Sequence, residues 1–160
     1  MKWSKFFGGF LLVILLTFAK SKITRYGVPI EFSIFLIFFV IRSTDTVRAI
    51  LMTFILSLGL DLILQTGQVK GLATMTQMLL VYVIMLLKKH VIPNYEDLFL
   101  LGLFALFYVA EYYLRLGLGK LLNTYISTIS PTILVFHALF HTAIFGLLLV
   151  INLRFSRGDS

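Results

Sequence analysis

Apolar residues arrive in six long runs, separated by polar stretches of about ten residues or fewer. The runs do not alternate with the two-residue period of a half-buried strand, and they reach the lengths of short membrane helices. The pattern predicts an all-α fold, a polytopic membrane protein made as a bundle of six short transmembrane helices. They cover about residues 6–19, 28–41, 46–65, 71–87, 95–118 and 131–151 of a single integral membrane domain.

Helix signals punctuate the runs where expected. Pro29 opens the second, where a missing N–H costs nothing, and Glu31 falls in its first turn, where a negative charge suits the helix dipole. Thr44 and Asp45 are a cap pair for the third. Pro93, Asn94, Glu96 and Asp97 mark the start of the fifth, and Pro131 that of the sixth. The first run has the basic start and apolar core of a signal peptide, but Lys20 and Lys22 follow the would-be cut directly, so a retained helix is expected. The mixed stretch Leu121–Ser130 is expected to lie along the membrane surface.

Composition agrees. Of 160 residues 59% are hydrophobic and mean hydropathy is +0.99, more apolar surface than a water-soluble domain can hide. The 16 Phe and 7 Tyr suit lipid-facing and interfacial positions. The absence of cysteine excludes disulfides and thiolate metal sites. Lys and Arg number 14 against 7 Asp and Glu, but they lie in ones and twos at run ends. That spread points to anionic membrane lipids and not to nucleic acid. Basic residues flanking the runs favour, eight to six, both termini in the cytoplasm.

Candidate chemistry centres on Phe54–Leu72, read as the stretch around which the chain is organised. Asp61 sits inside an apolar run, Gly59 bares backbone beside it, and Gly67 and Gly71 bracket the following turn. An acid within a membrane helix normally faces protein or a water-filled cavity. Glu111 and Arg115, four apart, can pair on one helix face. His137 and His141 share that spacing, but no third metal ligand or general base accompanies them. Gly117-Leu-Gly119-Lys120 has the wrong spacing for a phosphate loop. No catalytic constellation assembles, so neither enzymatic activity nor a cofactor is expected. Counting residues from the run ends puts Glu31, Asp61, Glu111 and His137 at similar depth on one side of the membrane. Asp61 is therefore expected to face the bundle interior, within direct or water-bridged reach of Glu111, Arg115 or His137.

Gly59-Leu-Asp61-Leu-Ile, then Gly71-Leu72-Ala73 opening the next helix, Tyr82 along it, and Pro29-Ile30-Glu31 before it resemble the bacterial rod shape-determining protein MreD family. The likeness covers about residues 28–87, and beyond that only hydropathy; the turn Gln65–Lys70 and the pair Arg42-Ser43 lack prolines usual in the family. The resemblance implies a non-catalytic member of the rod complex, or elongasome, in the bacterial inner membrane. Its implied partners are an MreC-like single-pass protein, a RodA-like polymerase and a class B penicillin-binding protein. The family's fold looks like the substrate-binding S component of energy-coupling-factor vitamin transporters, which supplies the competing function. Against it, Gly8 and Gly9 are followed four residues on by Leu12 and Val13, so the first helix lacks a small-residue docking face.

Overall fold

A computed structural model describes residues 3–23, 31–64, 71–90, 97–123, 126 and 128–157. Gly67, Pro29 and Pro93 lie outside the described residues. Among the described residues there are six helices and no strand: α1 (Trp3–Ile23), α2 (Phe32–Ser43), α3 (Thr46–Leu64), α4 (Leu72–His90), α5 (Asp97–Leu121) and α6 (Pro131–Arg157). Four of them, α3 to α6, are long and apolar enough to cross a membrane. Helix ends shift from expectation: α1 is longer at both ends, α2 begins four residues later, α4 runs through Lys88-Lys89-His90, and α5 and α6 extend past 118 and 151. Glu31 therefore stands before α2 rather than in its first turn. α5 ends at Leu121, and Asn123 just beyond it adopts a left-handed φ of 51°.

Neighbouring contacts fix the directions of the helices. Asp61 meets Thr74 and Ser57 meets Gln77, so α3 and α4 are antiparallel. Gln77 meets Glu111, which sets α5 against α4, and Phe104 stacks on Phe145 while Tyr108 lies by His141, which sets α6 against α5. The start of α2, the end of α3, the start of α4, the end of α5 and the start of α6 thus share one end of the bundle.

Among the described residues α2 is the most fully buried helix. Ser33, Ile34, Phe35, Leu36, Ile37, Phe38, Val40 and Ile41 are all buried, leaving α2 no open face. At 12 residues it is about 18 Å long, well short of the ~30 Å hydrocarbon core. The last polar groups of a helix need partners. Ser43 and Thr44 donate back to the carbonyls of Phe39 and Val40, and Lys88 Nζ on α4 donates to the Ile41 carbonyl at 2.6 Å. At the other end, the Glu31 N–H donates to His141 Nε2 on α6 at 3.2 Å. Neighbouring helices cap α2 at both ends.

Around α2 the phenylalanines turn inward. Phe104 and Phe145 stack at 4.5 Å, and Phe38 meets Phe104, Phe107 and Phe145 edge-on at 4.9, 5.3 and 5.6 Å. This limits the assignment of the aromatic residues to outward positions: Phe7, Phe54, Phe136, Tyr82 and Tyr113 are exposed, but Phe6, Phe38, Phe104, Phe107 and Phe145 are fully buried. Interlocking rings serve better than burial alone here, since lipid is as apolar as the core and packing must hold the helices together.

Helix α1 docks on α2 and α3 through two glycines. The Leu36 side chain fills the space at Gly9, and the Phe10 ring fills the space at Gly59. A Cβ at Gly59 would lie 2.7 Å from Phe10 Cζ. Gly59→Leu is expected to displace α1 and to cost about 1–3 kcal/mol, the usual range for overpacking. The check is limited proteolysis in detergent, with earlier cleavage after α1 in the variant. Cleavage identical to the wild type would contradict this docking.

Candidate functional site: a polar network at one end of the bundle

The helix pairs described above place one polar side chain after another at the shared end. Asp61 is the fourth residue from the end of α3. Its Oδ2 accepts from the Thr74 N–H at 3.0 Å and from the Thr74 hydroxyl at 2.7 Å. Thr74 is the third residue of α4, and its N–H has no partner within that helix. Asp61 thus caps α4 from outside, at a helix start where a carboxylate is favoured. The turn before α4 needs Gly71, whose φ is +88°.

One turn deeper, the Ser57 hydroxyl donates to Gln77 Oε1, and Gln77 Nε2 donates to Glu111 Oε1 at 2.8 Å. The same Glu111 oxygen accepts from Arg115 Nη2. Arg115 also reaches back to Glu31, with Nη1 and Oε1 at 3.8 Å. Glu111 is buried, while Arg115 and Glu31 are 22% and 33% exposed at the side chain and lead outward. Glu31 then joins α6 through its N–H to His141, whose Nδ1 lies 2.6 Å from the His137 carbonyl. A backbone N–H only donates and a carbonyl only accepts, so in this arrangement Nδ1 donates and Nε2 accepts. Tyr112 closes the end by accepting from the Ile129 N–H at 2.6 Å, which ties the approach to α6 against α5.

The structure brings Glu111 and Arg115 together as the spacing implied, and adds Glu31 to the pair. Asp61 faces α4, but its hydrogen bonds go to Thr74 and not to Glu111, Arg115 or His137. Thr74 thus takes the place of a direct bond from Asp61 to those three, while Asp61 stays near enough to act electrostatically on Arg115. The reason is local: Thr74, opposite it across the α3–α4 turn, offers two donors. Glu111 is ten residues before Leu121, so about 15 Å from that helix end and deeper than the sequence count gave. His137 is buried and contributes its backbone carbonyl, while the ring at work is that of His141.

Sequence reasoning passed over Ser57, Gln77 and Thr74 as site residues and weighed His141 only as a metal ligand. The signal was present: Thr53, Ser57 and Asp61 recur every fourth residue on α3, and Thr74 and Gln77 face them from α4. Among the described residues no group of three His, Cys, Asp or Glu stands where it could hold a metal ion.

No protein-family description, curated protein or solved structure matches this chain.

Proposed function

We propose that the chain is a non-catalytic membrane scaffold of the bacterial rod complex, supporting lateral peptidoglycan synthesis and cell shape through helix contacts with membrane partners. One observation carries this reading: the residues of the MreD-like motif act in helix packing. Gly59 receives Phe10 of α1, Asp61 caps α4, and Gly71 makes the turn that lets it do so. A motif spent on packing fits a protein whose shape is its function.

The open surface supports the same conclusion. Only 33–39% of each long helix is buried within the chain. Leu106, Phe136, Leu139 and Leu147 stand more than three-fifths exposed, in position for lipid or another helix. In this proposal α1 and the short α2 complete six passes, with both termini on the cytoplasmic side of the inner membrane. The bundle takes an arrangement like the S component of energy-coupling-factor transporters. The partners are an MreC-like single-pass protein, a RodA-like polymerase and a class B penicillin-binding protein. The competing reading is an S component itself, for which a vitamin would be the cargo.

Photocrosslinking tests the proposal. A photoreactive residue at Leu106, Leu139 or Leu147, in cells expressing the chain at native level, is expected to trap a single-pass membrane protein. Depletion of the chain is expected to round the cells. Crosslinks to lipid alone, with cell shape unchanged, would remove the scaffold reading.

A further inference from the structure

The polar network has an unbalanced charge at its deepest point. Glu111 Oε1 already accepts from Gln77 and Arg115, whereas Oε2 is buried without a partner among the described residues. With both carboxylates ionised, Glu31 and Glu111 outnumber the guanidinium of Arg115 by one negative charge. Inside a bundle an unpaired charge is costly, and a small positive ion is the direct remedy. A further atom points the same way. The Thr53 hydroxyl, one turn below Ser57, is buried without a partner among the described residues, although Thr17, Thr44, Thr76 and Thr142 all donate back to the carbonyl four residues earlier.

We propose that the α3–α4–α5 interface binds a single positive charge, a proton or a sodium-sized cation, at Glu111 Oε2. The oxygens of Thr53 and Ser57 line the same face of α3. The chemistry is that of a monovalent ion, since no three acidic or histidine groups among the described residues gather for a divalent one. The titratable and charged groups at this place are Glu31 before α2, Asp61 on α3, Tyr108 and Arg115 on α5, and His137 and His141 on α6. Occupancy ties α3, α4 and α5 together, so the stability of the bundle becomes linked to the ion.

The test is thermal unfolding of the full chain in mild detergent, with sodium chloride exchanged for choline chloride at constant ionic strength and at several pH values. With a metal cation as occupant, sodium raises the unfolding temperature by several degrees, and more is needed as the pH falls. With a proton as occupant, acid raises it by a similar amount and sodium has no effect. In either case Glu111→Gln abolishes the dependence. Glu111→Asp, which retracts the carboxylate by one methylene, shifts its midpoint and serves if the glutamine variant does not fold. A wild-type unfolding temperature indifferent to both sodium and pH would overturn the proposal. So would an ion dependence that survives unchanged in both variants.

Discussion

Arg115→Leu is expected to be the most damaging single substitution in the chain, lowering stability by about 3–5 kcal/mol or preventing accumulation in the membrane. The cause is the charge left behind rather than the bond removed. Glu111 is 2% exposed and would lose the cation that binds its Oε1. Glu31 would lose the same partner at the outer edge. The double variant Glu111→Leu/Arg115→Leu is expected to recover much of the loss, because apolar side chains of similar volume need no compensation in that setting. Thermal unfolding in detergent, with membrane levels measured alongside, separates the cases. A double variant no better than Arg115→Leu would show that the pair does not act as a unit.

The second large effect is at Asp61. Asp61→Leu removes the acceptor for both the Thr74 N–H and the Thr74 hydroxyl, leaving donors at the start of α4 without a partner. The expected cost is about 1–3 kcal/mol per unsatisfied buried group. Asp61→Asn keeps an acceptor oxygen at the same reach and is expected to lose no more than about 1 kcal/mol. The contrast between the two substitutions carries the argument. Equal losses would mean that the charge, and not the hydrogen bonds to Thr74, gives Asp61 its role.

Much of the site was legible because polar side chains inside apolar runs are costly and few. Asp61, Glu111 and Arg115 stood out for that reason, and counting residues from the run ends placed them at the correct end of the bundle. The partner of Asp61 was not legible. Thr74 carries no charge, and a threonine in a membrane helix usually bonds to its own backbone, as Thr17 and Thr142 do. His141 was hidden for a related reason. Its role is to accept from the N–H of a residue 110 positions away, a relation that no local spacing encodes.

The burial of α2 was the larger surprise. Hydropathy does not separate α2 from the exposed side of α6, since a phenylalanine meets the same preference in an apolar solvent as in a protein core. Length did not separate it either, since the runs 6–19 and 28–41 are equally short; what sets α2 apart is that neighbours satisfy its ends. Lys88 supplies one such contact, although its place beside Lys89 and His90 gave it the look of a surface anchor.

The central claim is that this bundle acts by holding membrane partners and not by carrying a cargo. Native mass spectrometry of the chain, extracted in mild detergent from cells expressing it at native level, addresses this directly. The predicted spectrum shows the 18.2 kDa chain in a complex whose added mass is that of another membrane protein, released when detergent is made harsher. A solitary chain whose added mass is one vitamin-sized molecule would contradict the claim and make the transporter subunit the better account.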